Sequence, residues 1–243
     1  MKKRTIALLL VLAMLLAGCG SSKQPPTGTI KPASSSSQNV TAPPETEAQA
    51  EQDDRPVSLG RMEGGTYENA YTGYGCYLDS GWVYKSAEEL QDISDLTQEL
   101  LAGSEIDLSK SNLNQLTDMM AENVELMASM NVLYQQITPQ EKLSFSFLGE
   151  SEILDSILDS KDLLISSYAQ AGIDVSSIEK VTVTFLGESR PAIHTSGTIQ
   201  GTPYYVLQIF DYKLGGDYSV VLTMSSFVED TTEQMLDLFY SVS

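Results

Sequence analysis

The chain has 243 residues, 33 of them acidic against 14 Lys and Arg, for a formal net charge of −19. So acidic a surface is a poor match for nucleic acid or anionic headgroups, and favours solubility, cationic partners or loose association with divalent cations. With two cysteines and one histidine in all, it also lacks the clustered soft ligands of a zinc site.

The N-terminus opens on Lys2, Lys3 and Arg4, followed by an apolar run from Ile6 to Leu16. That run is far shorter than the roughly 20 residues of a spanning helix, so residues 1–18 are read as a secretion signal. It ends in Leu16-Ala17-Gly18-Cys19, which resembles the lipobox of bacterial lipoproteins. The resemblance implies that Leu16, Ala17 and Gly18 form the cleavage recognition site. It also implies cleavage before Cys19 and a diacylglyceryl group on the Cys19 thiol. Two or three acyl chains on one residue give durable anchoring, whereas one is marginal. The expected address is the cell membrane, on its extracytoplasmic side. Cys76 is then left without a disulfide partner, and a free thiol in an exported protein is expected to be buried.

From Gly20 to Pro56 the composition turns to Ser and Pro, with Pro25, Pro26, Pro43 and Pro44 around the run Ser34 to Ser37. Such a stretch buries too little surface to offset its ordering entropy, so residues 19–56 are expected to be a disordered tether. Its mean span as a flexible coil is about 35 Å. The roughly 190 residues that follow suffice for one sizeable core, so residues 57–243 are read as one domain.

Within it, Thr66 to Asn69 and Tyr74 to Leu78 read as short strands around Gly73. Ser86-Ala87-Glu88-Glu89 matches a capping box, and Leu90, Ile93, Leu96 and Leu100 behind it predict an amphipathic helix from Ala87 to about Leu101. Leu113, Leu116 and Met120 share one side of a shorter helix expected over Asn112 to about Ala121. Met130 to Ile137 reads as a strand before Pro139. Ile153, Leu154, Ile157, Leu158, Leu164, Ile165 and Tyr168 predict one helix from Glu150 to Ala171, stopped at Gly172. The period then changes to two. Val181 to Phe185, Ala192 to Ile199, Tyr204 to Tyr212 and Asp217 to Ser225 read as strands, with turns at Gln200 to Pro203 and Lys213 to Gly216. Thr231-Thr232-Glu233-Gln234 caps an expected closing helix carrying Met235, Leu236, Phe239 and Val242. The order implies an antiparallel sheet with helices packed on it, an α+β domain.

These elements resemble the PsbP/Mog1-like fold. The strand Gly73-Tyr74-Gly75-Cys76-Tyr77-Leu78 runs into a corner, Asp79-Ser80-Gly81-Trp82, with the capped helix after it. Asp79 stands where that family usually has proline. The resemblance covers about Gly65 to Ser243 and implies an α/β/α sandwich, but fold analogy supplies no chemistry. Most proteins it resembles are regarded as binding or assembly factors.

No catalytic constellation stands out. His194 reads as a hydrogen-bonded sheet histidine, with no nucleophile elbow to serve. Ser177-Ile178-Glu179-Lys180 spells a serine–x–x–lysine, but it sits between a helix stop and a strand instead of opening a helix. Glu152, Asp155, Asp159 and Asp162 read as the solvated face of the long helix, not as a pair across a cleft or a calcium loop. Tyr67, Tyr71, Tyr74, Tyr77 and Trp82 cluster early, and Tyr204, Tyr205, Tyr212 and Tyr218 fall late. Sheet packing explains most of them, and any site is expected where the first hairpin meets the late strands. The resulting expectation is a non-catalytic binding or assembly module on a membrane, needing no cofactor or metal and meeting an envelope protein or glycan. The alternative is a cell-envelope hydrolase using paired carboxylates.

Overall fold

The computed structural model describes residues 57–79, 81–86, 88–90, 115–212 and 217–242. The expected signal, the tether with Cys19, most of the first capped helix and the turn at 213–216 lie outside the described residues.

Two antiparallel sheets are stacked. The smaller contains β1 (Arg61–Glu63), β2 (Thr66–Asn69), β3 (Tyr74–Tyr77) and β11 (Phe239–Ser241), in the order β1-β2-β3-β11. The larger contains β4 (Trp82–Tyr84), β5 (Gln115–Asn123), β6 (Ala128–Gln136), β7 (Ile173–Phe185), β8 (Glu188–Ile199), β9 (Thr202–Asp211) and β10 (Tyr218–Phe227). Its order is β4-β5-β6-β10-β9-β8-β7, so that β4 and β7 are its edges among the described residues. Three helices, α1 (Pro139–Phe147), α2 (Glu150–Leu158) and α3 (Lys161–Gln170), join β6 to β7. The domain is therefore α+β.

The large sheet is covered on both faces, which explains why β9 is apolar on both sides. Leu207 and Ile209 point to the small sheet, with Met130, Val132, Leu222 and the tyrosines Tyr67, Tyr71 and Tyr74. Val206 and Phe210 point to the helices, against Ile153, Ile157, Leu164 and Tyr168. Tyr67, Tyr71, Tyr74, Tyr134 and Tyr218 are all at most 1% exposed, so the tyrosine cluster is core between two sheets. Their rings meet in stacked and edge-to-face pairs, Tyr71 on Tyr134 at 5.7 Å and Tyr134 on Tyr218 at 6.4 Å.

Four sequence expectations differ from the structure. The described part of the segment expected as a helix over 112–121, residues 115–121, lies in strand β5, and the reason is a β-bulge between Thr117 and Met119. Leu116 and Met119 pair with Tyr134 and Val132 on one face, so an inserted residue turns strand period two into a spacing of three, which mimics a helix. The helix expected over 150–171 is two helices, divided at Asp159 and Ser160, where Ser160 adopts φ −106° and ψ 23°. The break rotates the second half, burying Leu164 and Tyr168 while Ile165 is left exposed. The closing helix is a short 3-10 turn over Gln234–Leu238, because the chain then extends as β11 and adds to the edge of β3. Finally, α1 was not anticipated, although Thr138 and Glu141 form a capping box with Pro139 in its first turn. Of the first capped helix, residues 88–90 are helical, and Ser86 and Glu89 exchange the expected bonds: Ser86 N–H to Glu89 Oε2 at 2.8 Å and Glu89 N–H to Ser86 Oγ at 3.3 Å.

Candidate functional site

The bulge in β5 aims Asp118 into the space between the sheets. Its carboxylate accepts from the Gly60 N–H at 2.9 and 3.0 Å, the Tyr67 hydroxyl at 2.6 Å and the Asn69 side-chain amide at 2.8 Å. Asn69 also donates to the Tyr134 hydroxyl at 2.6 Å, and that hydroxyl donates to the Ser58 carbonyl at 2.7 Å. Gly60 is required here, since a Cβ would stand 2.1 Å from the Tyr67 ring. Burial raises the Asp118 pKa to about 6, against the opposing pull of Tyr67, Gly60 and Asn69. Three donors without a cation do not fully offset the desolvation of a carboxylate. The cluster fastens residues 58–60 to the core between the two sheets. Its side chains, Tyr67, Asn69, Asp118 and Tyr134, are all buried, so it is a structural latch.

The residues singled out in the sequence are dispersed. His194 Nε2 lies 2.8 Å from Asp230 Oδ2, and its ring stacks on Tyr205. Ser177 Oγ meets Glu179 Oε1 at 2.5 Å, while Lys180 Nζ reaches Asp155 at 2.5 Å and Ser151 at 2.9 Å. The serine and the lysine therefore serve different carboxylates on a strand. Glu152, Asp155, Asp159 and Asp162 are all exposed, as expected of an outer helix face. Arg190 sits between Glu150 at 3.0 Å and Asp211 at 2.5 Å. Burial alone would lower its pKa, but the two carboxylates outweigh that and hold it more firmly protonated. Among the described residues no group of three His, Cys, Asp or Glu side chains is placed to hold a metal ion, and no helix is long and apolar enough to cross a membrane.

Cys76 is fully buried in β3, with Met130 Sδ 3.8 Å from its sulfur. Burial pushes its thiol up to about 12, so almost no thiolate exists at neutral pH. An aromatic disulfide reagent should therefore leave Cys76 unmodified in the native chain and label it on unfolding. Labelling at equal rates with and without denaturant would contradict that burial.

An open concavity lies elsewhere, where the edges of the two sheets approach. A cleft of about 330 Å³ has Thr184, Leu186 and Gly187 on one wall and Leu236, Asp237, Tyr240 and Ser241 on the other. The first wall is the end of β7 and its tight turn into β8, where Leu186 and Gly187 take φ of 54° and 83°. Positive φ at both turn residues is the geometry that suits a two-residue hairpin. The second wall is the 3-10 turn and β11. Tyr240 donates to Glu68 Oε1 at 2.9 Å and its ring lies over Gly75, where a Cβ would stand 2.7 Å from Tyr240 Cζ. The small residue at 75 is what lets β11 dock. From the sequence, any site is expected where the first hairpin meets the late strands. That junction is filled by core, and the cleft lies one strand further out, beside β11. Nothing in the sequence marked it, because the segment was read as helix.

No protein-family model matches the chain, and no curated protein matches it.

Proposed function

We propose that this chain is a lipid-anchored extracytoplasmic lipoprotein whose domain is a non-catalytic binding or assembly module. The observation that carries the proposal is Leu16-Ala17-Gly18-Cys19 at the end of a short apolar run behind three cations. Acyl chains on Cys19 give membrane residence, and the Ser- and Pro-rich stretch behind it serves as spacer. The finer fold reading is a PsbP/Mog1-like arrangement. It is supported by the glycine–aromatic strand β3 leading to β4 at Trp82 and by the antiparallel meander β7 to β10. The binding reading is supported by where carboxylates sit. Asp118 and Asp211 are buried in hydrogen-bonded clusters, and the cleft beside β11 carries one, Asp237. A glycosidase needs two carboxyl groups about 5–10 Å apart across the scissile bond, so no specific observation favours a hydrolase.

The test is growth with labelled palmitate followed by membrane fractionation. The native chain should carry label and sediment with membranes, and Cys19→Ala should abolish the label completely. A Cys19→Ala chain labelled as strongly as the native one would overturn the anchor. An envelope partner, protein or glycan, should be recovered with the native chain after mild crosslinking.

A further inference from the structure

We propose that the cleft between β7 and β11 is a β-augmentation site that takes an extended, basic polypeptide segment as an added strand. This rests on the reading of the domain as a binding module and names the chemistry of its partner.

Hydrogen-bond parity supplies the first argument. In an antiparallel pair, residues alternate between those that bond the neighbouring strand and those whose N–H and C=O turn away. The Val242 N–H donates to the Gly73 carbonyl at 2.8 Å, and Tyr240 faces Gly75 in the same register. Residues 240 and 242 therefore bond β3, and Ser241 presents its N–H and C=O to the open side. The same rule applies to β7. The two-residue turn makes Phe185 and Glu188 the bonded pair closing the hairpin, so Thr184 and Thr182 point their backbone groups outward. Ser241 and Thr184 line opposite walls of one cleft. A single extended segment laid there reaches backbone donors and acceptors of both sheets.

Edge protection supplies the second. Natural edge strands are guarded by bulges, charges or proline. The first half of β7 has all but the last, with a bulge between Val175 and Ser177 and the pair Glu179 and Lys180. The second half, Val181-Thr182-Val183-Thr184-Phe185, has none and reads as strong strand former. Protection is missing where the strand lines the cleft.

Charge selects the occupant. Asp237 lies in the cleft, Glu68 adjoins it through Tyr240, and the chain carries −19 overall. The nearby cations Lys180 and Arg190 are already paired with Asp155, and with Glu150 and Asp211, and Arg61 stands opposite Glu68 across β1 and β2. The negative charge an incoming Lys or Arg meets is therefore that of Asp237 within the acidic field of the chain, and an acidic strand is repelled.

The experiment uses the full chain extracted from membranes and a synthetic peptide alternating Lys with Val and Thr. Binding is read by fluorescence anisotropy and by amide hydrogen exchange. The expected result is saturable binding below about 1 mM, with slowed exchange at Thr184 and Ser241. Methylating alternate peptide amides should abolish binding, and replacing Lys by Glu should weaken it by about tenfold or more. In the protein, Thr184→Pro and Ser241→Pro each remove one outward N–H at an edge, where proline is tolerated. Each should weaken binding by about threefold to tenfold, as expected for loss of one hydrogen bond. Equal binding of the methylated peptide, unchanged affinity in both folded proline variants, or no binding of the basic peptide would overturn the proposal. So would occupation of the cleft by a wall glycan fragment instead. Palmitate labelling reads the anchor and the peptide reads the cleft, so either can fail alone.

Discussion

Asp118→Asn should remove a pH dependence of stability that the native chain shows between about pH 4 and 6. Burial raises the folded pKa of Asp118 to about 6 from the ordinary 3.8, a difference of roughly 3 kcal/mol. Between those values the folded state holds a proton that the unfolded state has released. Unfolding free energy therefore falls as pH rises through the window, and is constant on either side of it as far as this group is concerned. Asp211, whose pKa burial raises against the pull of Arg190, acts in the same direction. The difference between native and variant isolates Asp118. Asparagine keeps an acceptor for the Gly60 N–H and cannot ionise, so denaturant curves of the two proteins should diverge towards low pH, with the native chain gaining. Asp118→Ala is the contrasting change. It takes the acceptor from the Gly60 N–H and the Tyr67 hydroxyl, while the Asn69 amide keeps Tyr134. Two orphaned donors at about 1–3 kcal/mol each outweigh the relief of removing a buried charge. Stability should fall at every pH, and fall further at about pH 4 than at neutrality. Parallel pH profiles for native chain and Asp118→Asn would show that the carboxylate is solvated after all.

Gly75→Val should be the most damaging single change in the small sheet. A Cβ at position 75 would stand 2.7 Å from the Tyr67 carbonyl oxygen and 2.7 Å from the Tyr240 ring. The carbonyl belongs to the β2–β3 ladder and Tyr67 is completely buried, so the backbone has no room to retreat. Tyr240 is half-buried and is the group that can swing away, which would break its bond to Glu68 and loosen β11. Overpacking of this kind costs about 1–3 kcal/mol, more where backbone is the obstacle, so a loss of about 3 kcal/mol is expected from denaturant unfolding. Combining Gly75→Ala with Tyr240→Ala should recover only part of its loss, because the Tyr67 carbonyl remains. Full recovery would place the conflict entirely on the Tyr240 ring.

The same residues show how far the sequence could be read. The end of β7 from Val181 and the strands β8 to β10 were legible because β-branched and aromatic residues run between turn signals. Burial alternates at the end of β7, whereas β9 and β10 are buried on both faces. The start of β7 from Ile173, with Ser177 to Lys180 inside it, carried no such pattern. The break after Leu158 was not, because Ile153, Ile157 and Leu164 keep a spacing that one continuous helix would also show. Asp118 hid β5 twice. Its bulge shifted the apolar period to three, and a lone aspartate between Thr117 and Met119 gives no sign of three converging donors. Thr138-Pro139-Gln140-Glu141 carried a readable start signal for α1, the same pattern recognised at Ser86. At Thr231 that pattern introduced only a 3-10 turn, because pairing with β3 offered Phe239 to Ser241 a better outlet for their backbone bonds. The cleft was out of reach for a different reason. It is made of backbone groups on strands distant in the chain, and which of them face outward depends on ladder register, which side-chain identity does not encode.

Binding at the cleft matters biologically only if the domain is held at a membrane, and that rests on Cys19. The direct measurement is the intact mass of the chain extracted from bacterial membranes, with fragmentation from its N-terminus. The expected species begins at Cys19 with a diacylglyceryl group on the thiol and lacks residues 1–18. A chain that begins at Met1, or one cut elsewhere with Cys19 unmodified, would contradict it.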